Sequence, residues 1–439
     1  MQPGEPWSLG AADDAADEAA AAESAESATP PEATGEHDLV RALGLADTGE
    51  STKALAIIPG ETSTAPPAGV AWAAGAVRIL VDCRYTRLER HDGISRFTSR
   101  LVEELGRRHP VVMLVHDVRQ LAMLPELPWT LGPSPTSPLE PIIGPLALNR
   151  LAPDIVYSPM QTIGPIGRRY ALVTTVHDLI YYSHPKPPAD LPWAVRALWR
   201  AYHLTPVFQR WVLALADAQV TISETTKALM LDRRMAPRPL RVIANGTDHP
   251  ALTPRRRPPR GRDLLYAGSF MPYKNVEALA AAMHHLPGWR LRLLSRADEA
   301  TVARLTALAP DGALDFMQGA SDAEYQAALT SARALVTASR EEGFGLPVVE
   351  AMALGTPVAV SDIPIFREVT GGHAELFDQE SPEAIAQAVL RLADDSLWLK
   401  RSEHGESWSR RYDWGTAADE LLAFLLHVVA ARRDGRRPE

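Results

Sequence analysis

The chain has 439 residues, too many for one hydrophobic core, so two domains are expected. It is 46% hydrophobic and 23% charged, the balance of a globular chain, with a formal net charge of −9. Residues 1–50 carry twelve Asp and Glu against the single basic Arg41, leaving the remainder at about +2 and excluding the strongly basic profile of a nucleic-acid binder.

Residues 1–75 are rich in Ala, Glu, Ser, Thr and Pro and have little to bury, so a disordered acidic extension is expected. Met1 to Gly10 lacks the basic patch and apolar run of a signal peptide. No apolar stretch approaches the ~20 residues of a membrane span, and Leu421–Ala431 reads as a packed helix. Cys83 is the single cysteine, which suits a reducing compartment. A cytoplasmic chain with at most peripheral membrane contact follows as the expectation.

A strand is predicted over Val77–Asp82 and a helix over Ser95–Arg107. Further strands are predicted at Val111–Val115, Ile155–Tyr157, Leu172–Val176, Gln219–Ile222 and Leu240–Ile243, with helical segments between several of them. Trp193 to Trp211 mixes aromatics with Arg196, Arg200 and Arg210; it reads either as a core helix, interrupted at Pro206, or as an interfacial element. The Pro- and Arg-rich residues 250–262 predict a linker between domains at 76–249 and 263–412. Strands then resume at Leu264–Ala267, Leu291–Leu294, Leu314–Phe316, Ala334–Thr337 and Pro357–Val360. Strand–helix alternation argues an α/β protein of two Rossmann-like, doubly wound domains facing a cleft, with ligands at the carboxyl ends of the strands.

The densest chemical signal is Ser339 to Glu350, which follows a predicted strand. Gly343 and Gly345 permit close backbone approach, and Pro347 is suited to open a helix. Free amides and the helix dipole favour an anion there, while Glu342 before the helix and Glu350 on its first turn can accept from sugar or ribose hydroxyls. A second turn, Gly268-Ser269 followed by Lys274, can set a cation against a diphosphate. No Asp-x-Asp triplet, zinc-type Cys–His spacing or Gly-x-x-x-x-Gly-Lys loop occurs, so no metal site is expected.

Glu342-Gly343-Phe344-Gly345-Leu346-Pro347-Val348-Val349-Glu350 and the run to Ser361 resemble the signature of retaining glycosyltransferases of family 4, which have the GT-B fold. The resemblance implies that Glu342 holds the donor sugar, that the Gly343, Phe344, Gly345 and Leu346 loop lines sugar and diphosphate, and that Glu350 holds the ribose. It implies Lys274 and the Gly268 turn at the diphosphate, but the family's arginine position is occupied by Ser269, with nearby Arg340 as a candidate substitute. In the first domain, Gly93-Ile94-Ser95-Arg96-Phe97 resembles the donor- or acceptor-facing loop, and His177 the histidine facing the donor sugar. Ser223-Glu224 and Asn245-Gly246-Thr247-Asp248 match family landmarks, and residues 413–431 the closing helix that crosses back to the first domain. The expected catalytic set is therefore Lys274, Glu342 and His177. The expected reaction is metal-independent transfer of a hexose, mannose favoured, from a nucleotide sugar such as GDP-mannose to a hydroxyl of a glycan or lipid-linked acceptor. A weakly active nucleotide-sugar-binding homologue or scaffold subunit, or an epimerase or phosphorylase on the same scaffold, stays open.

Overall fold

The computed structural model describes residues 72–89, 91–137, 139–161, 163–164, 166–183, 207–248 and 257–436. The expectations for most of the acidic extension, for residues 193–206 and for the start of the linker lie outside the described residues. Among these residues thirteen strands form two sheets, each parallel throughout.

The first sheet runs in the order β3-β2-β1-β4-β5-β6-β7. Its strands are β1 Ile79–Asp82, β2 Val111–Val115, β3 Trp129–Leu131, β4 Ile155–Ser158, β5 Ala171–Val176, β6 Ala218–Thr221 and β7 Leu240–Val242. Helix α1 (Gly93–Arg108) starts at Asp92, whose side chain accepts the Ser95 amide. It buries Phe97, Leu101, Val102 and Leu105, the three-to-four spacing of one helix face. Helices α2 (Glu140–Leu151), α3 (Ile180–Ser183), α4 (Val207–Ala214) and α5 (Glu224–Asp232) complete this half. Trp72, inside the segment expected to be disordered, is tied to the first half: its indole N–H donates to the Leu151 carbonyl at 2.8 Å.

The second sheet has the order β10-β9-β8-β11-β12-β13. It comprises β8 Asp263–Tyr266, β9 Arg290–Leu293, β10 Leu314–Phe316, β11 Ala334–Thr337, β12 Val358–Ser361 and β13 Glu375–Phe377. Helices α6 (Val276–Ala282), α7 (Glu299–Thr306), α8 (Asp322–Ser331), α9 (Leu346–Ala353), α10 (Pro364–Thr370), α11 (Pro382–Arg391) and α12 (Asp395–Ser409) surround it. In both sheets the strand order reverses its sense between the first and fourth strands, β1/β4 and β8/β11, which opens a ligand crevice at their carboxyl ends. β3 and β13 are three-residue edge strands that no apolar run announces.

The chain returns to the first half beside Thr247, whose N–H donates to the Tyr412 carbonyl at 2.9 Å and which bridges to Asp413. A Cβ at Gly246 would lie 2.4 Å from the Trp414 nitrogen, so this crossing requires glycine. Helix α13 (Trp414–Arg433) then packs along α1. By length and composition it could cross a membrane, yet Leu421, Phe424, Leu425, Val428 and Val429 are buried in the core.

Candidate active site

The switch point of the second sheet brings two turns together. After β8 the backbone turns at Gly268, whose N–H reaches the Ser295 hydroxyl at 3.3 Å, and a single 3-10 turn, Pro272–Lys274, delivers Lys274. β11 is hydrogen-bonded beside β8, and its outgoing loop delivers Ser339 and Glu342. Lys274 Nζ stands 2.6 Å from Glu342 Oε1, which also accepts the Ser339 hydroxyl at 2.8 Å. Both side chains are largely buried, 16% and 12% exposed, so the pair is only weakly screened. Burial alone would depress the Lys274 pKa, but the charge of Glu342 and then Tyr273 outweigh it and raise it, so the ammonium persists. Ser339 also bonds Thr337 at 3.0 Å, which fixes the loop that carries Glu342.

Arg340 does not take the place of the missing arginine. Arg340, the candidate substitute, is committed to Glu380 at 2.5 and 2.7 Å and to the Pro272 carbonyl at 2.9 Å. It braces the lysine turn and supplies no second cation to the crevice. Ser269 is exposed, and its carbonyl accepts the Tyr266 hydroxyl at 2.6 Å.

The signature loop enters α9 through Gly345, which has φ 89° and whose added Cβ would meet Phe366 at 2.8 Å. The helix opens at Leu346, one residue before the expected Pro347, and no side chain caps it. Glu350 is consequently its fifth residue, one turn in. Phe344 points away from the crevice: it is buried and meets Tyr412 edge-to-face at 5.3 Å, so only its backbone is available to a ligand.

The other half faces this loop closely. A Cβ on Gly343 would lie 2.6 Å from the His177 carbonyl oxygen and 3.1 Å from Asp178 Cβ. The Gly343 carbonyl accepts the Ser223 hydroxyl at 3.1 Å. Glu368 of α10 accepts the Glu224 and Thr225 amides at 2.8 Å each and the Thr225 hydroxyl at 2.5 Å, capping α5 from across the cleft. His177 Nε2 is 2.7 Å from the Pro159 carbonyl, and Phe97 meets its ring edge-to-face at 4.9 Å. Burial lowers its pKa to about 4, so the ring is neutral near pH 7: Nε2–H donates to Pro159 and Nδ1 remains an acceptor. Burial, with a smaller contribution from Glu342, raises the Asp178 pKa. Gly93 is the exposed first residue of α1, with nothing within 4 Å of where its Cβ would stand.

Glu350 is also engaged across the cleft. Arg96 of α1 donates to its Oε1 at 2.9 Å, and Tyr325 of α8 donates to its Oε2 at 2.5 Å. A second Arg96 nitrogen reaches Asp322 at 2.9 Å. These groups line a cavity of about 290 Å³ with Arg100, Thr247 and Asp248. Arg96, Tyr325, Asp322 and Asp178 were not singled out by the sequence; Arg96 and Asp178 lie inside the Gly93 and His177 motifs, but spacing says nothing of their partners. Among the described residues no group of three or more His, Cys, Asp or Glu is arranged to hold a metal ion.

Comparison with known proteins places this geometry. Residues 254–411 match the family described as glycosyl transferases group 1, and residues 91–250 match glycosyltransferase family 4. An MMP alpha-(1->4)-mannosyltransferase of Mycolicibacterium hassiacum is 29% identical over 274 residues, 60% of this chain and 66% of that one. A GDP-mannose:cellobiosyl-diphosphopolyprenol alpha-mannosyltransferase of Xanthomonas oryzae is 32% identical over 294 residues, 58% of this chain and 77% of that one. Among solved structures, the sucrose-phosphate synthase of Thermosynechococcus elongatus superposes with a TM-score of 0.62 at 20% identity, covering 81% of this chain and all of that one. Anabaena HepE, solved with UDP and glucose, gives 0.63 at 15% identity over 80% and 99% of the two chains. With both halves of the fold matched and a relative 32% identical over most of its own length, the chain belongs to the family 4, group 1 glycosyltransferases and is a glycosyltransferase with the two-domain GT-B fold.

Proposed function

We propose that this enzyme transfers mannose from a nucleotide sugar, GDP-mannose in the first instance, to a hydroxyl of a glycan or lipid-linked acceptor, with retention at the anomeric carbon and without a metal ion. The observation that carries the reading is the Lys274–Glu342 pair at the β8/β11 switch point, next to Gly343, which lies against the His177 carbonyl across the cleft. The donor preference leans on the mannosyltransferase relatives, one of them named for GDP-mannose.

In this reading the nucleoside diphosphate lies against Lys274 and the uncapped start of α9, where a fixed cation and backbone amides take up charge as the glycosidic C–O bond breaks. Entry of the donor exchanges the Lys274–Glu342 contact for two contacts to substrate: the ammonium to a phosphate oxygen, the carboxylate to sugar hydroxyls. The acceptor oxygen forms the new bond on the face the diphosphate leaves, and its proton passes to a departing phosphate oxygen. Neutral His177 and the adjacent backbone bound the sugar on the opposite side. The acceptor enters from the first domain. A lipid-linked acceptor would place the enzyme at the cytoplasmic membrane surface.

Incubating the full chain with GDP-, UDP- and ADP-sugars tests the proposal, with nucleotide release read by chromatography and the product anomer by proton NMR. Consumption of GDP-mannose in the presence of EDTA, with an α product, supports it. An inverted product, a metal requirement or a preference for another base overturns that part of it. Free epimer in place of transfer overturns the transferase chemistry, and binding without turnover identifies a scaffold homologue.

A further inference from the structure

Arg96 comes from the domain opposite Glu350 and is separated from it by 254 residues in sequence. The carboxylate of Glu350 is held at both ends by donors on different elements: Arg96 on Oε1 at 2.9 Å and Tyr325 on Oε2 at 2.5 Å. The contact is mostly withdrawn from water, Arg96 being 28% and Glu350 16% exposed, whereas the accompanying Asp322 is 80% exposed. The Arg96–Asp322 arm therefore contributes little, and the Arg96–Glu350 arm carries the interaction. Each carboxylate oxygen accepts about two hydrogen bonds. With one donor on each among the described residues, a second acceptor position on each oxygen faces the cavity that these groups line together.

We propose that Arg96 is a positioning residue for the nucleotide subsite: with Tyr325 it locks Glu350 as a two-pronged acceptor for the vicinal cis-diol of a nucleoside ribose. The inference rests on the reading of Glu350 as a ribose ligand. It makes recognition of the nucleoside depend on a side chain of the other domain, so that the subsite is complete only when the cleft is closed. Without Arg96 the carboxylate is anchored at Oε2 alone and can swing about that contact, and it loses the geometry that distinguishes a diol from a single hydroxyl.

The test is binding of GDP and 2′-deoxy-GDP to the full chain by calorimetry, with UDP and 2′-deoxy-UDP as a second pair. Wild type should bind the ribonucleotide roughly tenfold or more tighter, the value of a lost hydrogen bond to a charged group. Arg96→Met should weaken the ribonucleotide by about that factor and the deoxynucleotide much less, collapsing the ratio. Arg96→Lys should restore part of it. In kinetics the donor KM should rise more than kcat falls. Arg119→Met, which removes an exposed arginine paired only with Asp117 among the described residues, controls for loss of charge. Equal weakening of both nucleotides in Arg96→Met, with circular dichroism unchanged, would reduce Arg96 to a structural contact and overturn the proposal. An unchanged ratio in Arg96→Met while Glu350→Ala loses it would overturn the role of Arg96 alone. A ratio retained in Glu350→Ala, or no nucleotide binding by wild type, would overturn the reading of Glu350 beneath it.

Discussion

Replacing Lys274 by alanine separates what the Lys274–Glu342 pair does for stability from what it does for transfer. The substitution removes a contact of 2.6 Å between groups 16% and 12% exposed and leaves Glu342 with the Ser339 hydroxyl at 2.8 Å. A fully buried carboxylate stripped of its cation costs about 3–5 kcal/mol. The remaining hydroxyl and the residual exposure reduce that to about 1–3 kcal/mol here. The effect on transfer has a different origin: a fixed charge aimed at a developing anion is worth about 3–4 kcal/mol in the transition state, or roughly 10²–10³ in kcat. Urea unfolding and GDP release from GDP-mannose, measured on the same preparations, read the two effects separately. Lys274→Ala should lose both stability and turnover. Lys274→Ala/Glu342→Gln should recover stability, since no orphaned charge remains, and stay inactive. A single variant that keeps more than a third of wild-type kcat would refute the assignment, as would recovery of turnover in the double variant.

Glu368→Ala removes the cap that Glu368 places on α5, two amides and the Thr225 hydroxyl, and should cost about 1–2 kcal/mol by chemical denaturation; an unchanged midpoint would show that the cap contributes nothing. Gly343→Ala sets a Cβ 2.6 Å from the His177 carbonyl, so small-angle scattering should show a wider particle and turnover should fall at least tenfold, about 1–3 kcal/mol of overpacking; wild-type dimensions and rate would contradict so close an approach. His177 has a folded pKa of about 4, below its unfolded value, so the unfolded chain binds the extra proton first as pH falls. Stability should be full above about pH 6.5 and decline by up to about 3 kcal/mol towards pH 4, a slope that His177→Gln flattens. Superimposable pH profiles for wild type and His177→Gln would exclude a ring held neutral in the folded chain.

Local chemistry is written locally, and that part of this protein was legible from its residues. Val111–Val115, Ile155–Tyr157 and Ala334–Thr337 stand where short apolar runs predict strands, because a strand buried on both faces needs nothing else. The glycine turn before α9, with Glu342 ahead of it, is readable because it depends on backbone conformation and helix dipole alone. The edge strands β3 and β13, three residues each, were not predicted; each is a strand through its pairing with one neighbour, β2 or β12. What only the tertiary structure decided are the pairings made by sheet order and domain apposition. It joined Arg96 to Glu350 across 254 residues, set Gly343 against the His177 carbonyl, and turned Glu368 into a cap for the opposite domain. It also spent Arg340 on Glu380, leaving Lys274 the only basic side chain within salt-bridge distance of Glu342 among the described residues. A side chain's partner is fixed by distance in space, and nothing in the spacing of residues along one chain encodes which face of the other domain it will meet.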